Sequence, residues 1–296
     1  MFPYSLLRPS SLALRTTLCA AALLLASACA SRPEAPIIEQ LAGPTASDTA
    51  TRIDALMPVD VLLLGEQHDA AEHQKIEQQV VANLTQRGIL AALALEMADA
   101  GTSTAKLHPS SSDEQVRLAL KWSETGWPWA AYGPAVMTAV RSGVPVLGAN
   151  LPRAQMRGAM ADSKLDGQLP GPALKAQQQL IRIGHCNLLP ESQITPMTRI
   201  QIAKDISMAN TLSQVAVPGK VVVLLSGNGH ADRFLGVPQH LAAELKVKVI
   251  SLRVGGDNLS DKADSFDMVW ATPALPDKDH CAELREQFRP KLPDPK

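Results

Sequence analysis

Neither sign of charge dominates this chain: 28 lysines and arginines face 29 aspartates and glutamates, a formal net charge of -1. That balance lacks the basic footprint of a nucleic-acid-binding domain, so no nucleic acid is expected as a partner. Nucleotide-cradling patterns are missing as well. Gly255-Gly256 and the other glycines form neither G-x-G-x-x-G nor a P-loop. Ser226 precedes Gly227 without the G-x-S-x-G elbow, which excludes a serine hydrolase of that type. No cysteine pair has Cys-x-x-Cys spacing, so a structural zinc is not expected. Aromatic residues are scarce, at 3% of the chain, and Tyr132 is the only tyrosine after residue 28.

What is present starts at the N-terminus. Residues 1–28 carry Arg8 and Arg15, no acid, and an apolar stretch from Leu18 to Ala26 that is too short for an ordinary membrane span. This reads as a secretory signal. Its end, Leu25-Ala26-Ser27-Ala28-Cys29, resembles a bacterial lipoprotein signal, in which cleavage precedes a cysteine that becomes lipidated. The alternative is plain secretion with a free thiol. Acyl chains stabilise membrane binding by about 0.8 kcal/mol per buried methylene, so lipid on Cys29 makes the membrane a partner. Ala30 after the cysteine, by the same resemblance, favours the outer membrane. Residues 29–50, rich in Ala, Pro, Ser and Thr, read as a flexible tether. Removing the signal takes Cys19 and lipidation uses Cys29, which leaves Cys186 and Cys281. In an oxidising compartment these two have one intramolecular pairing, and a disulfide is predicted; two buried thiols are the alternative.

From residue 51 to about 285, apolar runs of strand length alternate with helical patterns. Strands are expected over 59–64, 89–96, 144–148, 220–226, 247–254 and 266–271. Helices are expected over 70–87, 112–122, 134–141 and 238–245. Alternation of this kind predicts an α/β fold with a mostly parallel central sheet flanked by helices. Residues 152–217 show almost no strand signal and two long helical stretches, which suggests an inserted smaller helical subdomain. The tail over 286–296 is expected to be disordered from Pro290 onward.

Two of the strands end alike. Val59–Leu64 runs into Gly65-Glu66-Gln67-His68, and Lys220–Ser226 runs into Gly227-Asn228-Gly229-His230. Their unbroken apolar character suits strands buried on both faces of a parallel sheet. Ligands of such sheets bind outside the carboxyl ends of the strands, so His68 and His230 could converge on one site. Glu96 ends a further apolar run, over 89–96, that is expected to neighbour the 59–64 strand, and a carboxylate there is costly unless exposed or paired. Glu66, His68, Glu96 and His230 are therefore the candidate catalytic set, with His68 as base or metal ligand. His68 and His73 are five residues apart, about 140° on a helix, so they are not a His-Glu-x-x-His zinc pair.

These motifs, taken together, resemble the Tiki/TraB/erythromycin-esterase superfamily. Leu64-Gly65-Glu66-Gln67-His68-Asp69, Ala149-Asn150-Leu151-Pro152-Arg153, His185-Cys186-Asn187-Leu188-Leu189-Pro190 and Gly227-Asn228-Gly229-His230 are similar, more closely, to the ChaN family of haem-binding lipoproteins. The resemblance implies haem as cofactor, a role in haem and iron uptake, iron ligation by tyrosine, and two protomers enclosing haems between them. A haem-uptake receptor is a further implied partner. Under it Tyr132 becomes the expected iron ligand, with Trp127 and Trp129 as porphyrin contacts alongside Trp122. Arg141 or Arg153 would assist the phenolate, or Arg153 and Arg157 would meet propionates. The competing reading is a hydrolase of the Tiki or erythromycin-esterase type. It would use Glu66, His68, Glu96 and His230, with or without a divalent metal held by His68 and His230.

Overall fold

The computed structural model describes residues 37–40, 46–255 and 263–287. In chain order its elements are β1 (Ile37–Gln40), α1 (Ala46–Asp54), β2 (Val61–Glu66), α2 (Ala71–Gln86), β3 (Leu90–Asp99), α3 (Asp113–Ala119) and α4 (Trp129–Arg141). There follow β4 (Val146–Asn150), α5 (Met156–Ala161), α6 (Gly171–Gly184), α7 (Glu191–Val215) and β5 (Val221–Gly227). The chain continues with α8 (Asn228–Ala231), β6 (Val247–Val254), β7 (Met268–Thr272) and α9 (Ala282–Gln287). The strands form one seven-stranded sheet in the order β1-β7-β6-β2-β5-β3-β4. Every neighbouring pair is parallel, as the alternating pattern predicts.

Helices cover both faces, and this explains the continuous apolar runs. On one face Leu62, Leu64, Leu95, Val223 and Leu225 pack with Ile76, Val80 and Leu84 of α2 and with Tyr132, Ala135 and Val136 of α4. On the other, Val61, Leu63, Val222 and Leu224 pack with Met208, Ala209 and Leu212 of α7. Each fully buried Leu or Val side chain contributes roughly 1.5–3 kcal/mol, so this two-sided layer dominates stability. Between β4 and β5 the described residues form helices and 3-10 turns only.

Several boundaries differ from expectation. α4 begins at Trp129, not Pro134, and the proline sits inside the helix. The apolar stripe Tyr132, Ala135, Val136, Ala139 and Val140, all buried, outweighs the one backbone hydrogen bond that Pro134 removes. α7 likewise starts at Glu191 and encloses Pro196. α3 stops at Ala119 because Lys121 takes a positive φ of 50°. The helix expected over 238–245 is a single 3-10 turn, Val237–His240. β3 neighbours β5 and β4 rather than β2, and it runs past Glu96 to Asp99. The tether expected over 29–50 is shorter than that. Ile37–Gln40 pairs with β7, and a helix starts at Ala46. The expected signal peptide over 1–28, the expected lipidation site Cys29 and residues 288–296 lie outside the described residues.

β2 and β5 are adjacent, with Gly65 beside Ser226 and Glu66 beside Gly227. Their two terminal turns interlock. A methyl group on Gly65 would lie 2.6 Å from Asn228 Oδ1, 2.9 Å from Ala231 Cβ and 3.1 Å from Asn228 Cα. One on Gly227 would lie 2.9 Å from His68 Nε2. Each glycine is thus the seat for a residue of the other motif. Gly65→Ala must displace the α8 backbone, and overpacking of this kind costs about 1–3 kcal/mol. A loss of that size in denaturant unfolding is expected; wild-type stability in the variant would show that the two turns do not constrain each other.

Candidate functional site

At the carboxyl ends of β2, β5 and β3 the four expected residues do come together, in two linked groups. In the first, Glu66 is the hub. Its Oε1 accepts from Tyr132 Oη at 2.7 Å and lies 2.8 Å from His68 Nδ1, while Gln74 Nε2 donates to Oε2. In the second, Glu96 Oε1 lies 3.2 Å from His230 Nε2, and its Oε2 accepts the Gly227 backbone N–H at 2.8 Å. Asp205 of α7 closes that group, 2.5 Å from His230 Nδ1. The Gln201 amide lies beside the same ring, 3.1 Å from Nδ1. His68 Nε2, 4.0 Å from Glu96 Oε2, joins the two groups. Asn150 holds the Glu96 backbone through a 2.8 Å bond to its carbonyl.

Electrostatics give the residues different charge states. Burial opposes a charged His230 ring, but Glu96 and Asp205 outweigh it and push its pKa up to about 10. For Glu96, too, burial is outweighed: His230, His68 and the Gly227 N–H hold its carboxyl well below the usual range. Asp205 goes the other way. Burial raises it to about 6 despite His230, and its Oδ2 has no hydrogen-bond partner. His68 is pushed up, because Glu66 and Glu96 overcome the opposing effect of burial. Beneath Glu66, Glu77 is fully buried with neither oxygen hydrogen-bonded, and burial together with Glu66 drives its pKa far up.

Two expected ligand roles do not fit this geometry. Tyr132 is only 1% exposed, and its hydroxyl gives its proton to Glu66. Burial, Glu66, Glu77 and Glu96 all push the phenol pKa well above its ordinary value, the opposite of what an iron-bound phenolate requires. His230 has a carboxylate on each ring nitrogen and no lone pair for a metal. The second nitrogen of His68 lies 4.0 Å from Glu96 Oε2, in a side chain that is 39% exposed, so this ring alone of the set keeps a nitrogen without a close partner. Among the described residues no three His, Cys, Asp or Glu side chains are grouped to hold a metal ion.

The remaining candidates lie at the rim or elsewhere. Trp127 is half-buried and meets the His68 ring edge-on at 4.8 Å. Trp129 packs edge-on against Trp122, and its indole N–H donates to Asp113. Arg153 and Arg157 are exposed, and Arg141 lies 3.8 Å from Asp113. His73 is structural: Nδ1 accepts the Gln67 N–H, Nε2 meets Thr272, and burial lowers its pKa to about 4. Cys186 and Cys281 are disulfide-bonded. Asp205, Gln201, Gln74 and Glu77 were not singled out in the sequence. Asp205 was findable, because it interrupts the buried α7 stripe of Thr198, Ile202, Ala209 and Leu212.

The His230 charge has a pH signature. Its folded pKa, about 10, exceeds the ordinary 6.5, so its contribution is complete below pH 6.5 and is lost as pH rises through about 10. Unfolding free energy should fall across that window by at most about 1.4 kcal/mol per pH unit for this one proton. His230→Gln should flatten the slope; an equal slope in the variant would remove His230 from the account.

Comparison with known proteins agrees with the fold. The sequence matches the family described as haem-binding uptake, Tiki superfamily, ChaN, over residues 52–241. Among solved structures, ChaN of Campylobacter jejuni, described with cofacial haem binding, is 26% identical with a TM-score of 0.60, covering 74% of this chain and 89% of that one. The type III effector HopBA1 is 19% identical with a TM-score of 0.46, covering 78% of this chain and 92% of that one. No curated protein matches. The family match takes in β2 through β5 and both glycine-histidine turns, well over half of the sequence: the chain belongs to the ChaN family of haem-binding uptake proteins.

Proposed function

We propose that this protein binds haem on its outer surface, as a lipoprotein of the outer membrane held there through Cys29, and serves haem or iron uptake. Family membership carries the reading, supported by the 26% identity to the Campylobacter protein. The side chains that suit a porphyrin are at the surface, not in the crevice. Trp127 offers a half-buried aromatic face, and exposed Arg153 offers a guanidinium for a propionate. Tyr132 does not fit the iron-ligand role and is not used. A pair of protomers around haem, and a receptor that receives it, belong to the same proposal.

Titrating purified protein with hemin should shift the Soret band. Tyr132→Phe should titrate like wild type, whereas Trp127→Ala should bind more weakly by roughly 0.5–1.5 kcal/mol, the value of one aromatic contact. No shift in wild type would sink the haem reading. Loss of the shift in a folded Tyr132→Phe would return iron ligation to that residue. Cys29→Ser should abolish palmitate incorporation in cells; unchanged labelling would remove the anchor.

A second reading rests on one observation: His68 is oriented by Glu66 at Nδ1 and presents Nε2 toward Glu96, the arrangement of a positioned general base. It is a metal-free, histidine-dependent hydrolysis. Ester or amide turnover that disappears in His68→Ala would support it, and wild-type protein inert across such a panel would end it.

A further inference from the structure

Four aromatic rings beside the crevice touch in series. Trp127, which borders the His68 ring at 4.8 Å, meets Tyr132 edge-on at 5.9 Å between centroids. Tyr132 meets Trp122 at 6.1 Å, and Trp122 meets Trp129 at 5.0 Å. The tryptophans are half-buried, whereas Tyr132 is 1% exposed. The series thus reaches the surface through its tryptophans and is sealed at its tyrosine.

Edge-on and tilted contacts of this kind are ordinary aromatic packing. The polar atoms of the rings, however, are partnered unequally. Trp122 Nε1 donates to the Trp127 backbone carbonyl, which is no base for a proton. Trp129 Nε1 donates to Asp113 at the exposed edge, and the Arg117 guanidinium lies 5.9 Å from that ring. A cation over the ring opposes the loss of an electron there. Only the Tyr132 hydroxyl is both sealed from water and bonded to a buried carboxylate, Glu66 Oε1, at 2.7 Å. That is within the reach a base needs for the proton it takes. Burial and the neighbouring carboxylates disfavour a phenolate, but a phenol that loses electron and proton together becomes a neutral radical, with no charge to bury.

We propose that Tyr132 is a redox-active residue that takes up oxidising equivalents entering at Trp127. One electron passes from Tyr132 through the Trp127 ring to a strong one-electron oxidant, which is reduced by one electron. The phenol O–H bond breaks in the same step, and its proton joins Glu66 Oε1. A neutral tyrosyl radical and a protonated Glu66 result. A thiolate in solution resets the pair: it gives one electron and becomes a thiyl radical, and the proton returns from Glu66. The oxidant is of the class that peroxide generates from ferric porphyrins. A haem packed on Trp127 is its source, and that source rests on the haem reading above.

The haem-free full-length chain tests the residue itself, with photogenerated ruthenium(III) tris-bipyridine as oxidant, rapid freezing and electron paramagnetic resonance. A Tyr4→Phe background leaves Tyr132 as the only tyrosine. A tyrosyl signal is expected, severalfold weaker in Trp127→Leu and in Glu66→Gln. No such signal, or an undiminished one in either variant, overturns the proposal. Glu66→Gln also disturbs a buried hub, so a second measurement uses no variant there. After full exchange into heavy water the signal should form more slowly, and an identical rate overturns the coupled proton step. With hemin and peroxide, the Soret band should bleach more slowly in wild type than in Tyr132→Phe. Equal bleaching overturns haem as the source, whereas a chain that binds no hemin fails the haem reading instead.

Discussion

Two glycines set how closely β2 and β5 can finish side by side. Because Gly65 makes room for Asn228 and Ala231, and Gly227 makes room for the His68 ring, the two strand ends lock together at the level where both chains leave the sheet. That lock delivers an imidazole from each turn to opposite sides of one carboxylate, Glu96. The apolar layers on both faces hold the strands in register, but they would tolerate many turns. Only the glycine seats bring these particular side chains within reach of one another.

What the lock assembles is a buried polar network in which Glu66 and Glu96 are well met, while Asp205 Oδ2 and both Glu77 oxygens lack partners. Removing one member of such a network leaves a charge without compensation, a loss larger than the pair's net gain. Glu96 is met by an imidazole and a backbone N–H, and Glu66 by three donors. The two carboxylates flanking His230 are driven apart, Glu96 down and Asp205 up. That separation is how one site holds a fixed anion beside a group able to exchange a proton near neutrality. Tyr132 Oη and both nitrogens of His230 are engaged inside this network, which leaves none of the three open to iron.

Much of this was legible beforehand. Unbroken runs at 59–64 and 220–226 announced strands covered on both faces, and the repeated glycine-to-histidine turn announced one shared site. Glu96 was expected beside β2 and lies one strand farther off, because strand order across a sheet leaves no trace in a single apolar run. Tyr132, expected as the iron ligand, is buried for a local reason. With the helix thought to begin at Pro134, the tyrosine fell in a loop among tryptophans. With the helix starting at Trp129, it falls on the buried stripe of α4, facing Glu66. Asp205 and Glu77 hid in amphipathic helices, where an acid on the apolar side is easily taken for surface.

The Tyr132 hydroxyl, buried and bonded to Glu66, also has a spectroscopic consequence. No other tyrosine follows residue 28, so the phenolate absorbance band of residues 29–296 comes from this one ring. Burial and the neighbouring carboxylates push its pKa well above the ordinary value, so the packed ring resists ionisation. Its appearance on raising the pH marks the moment at which the layer between α4 and the sheet comes apart. The protein thus carries a built-in optical gauge of its own denaturation, with no label attached.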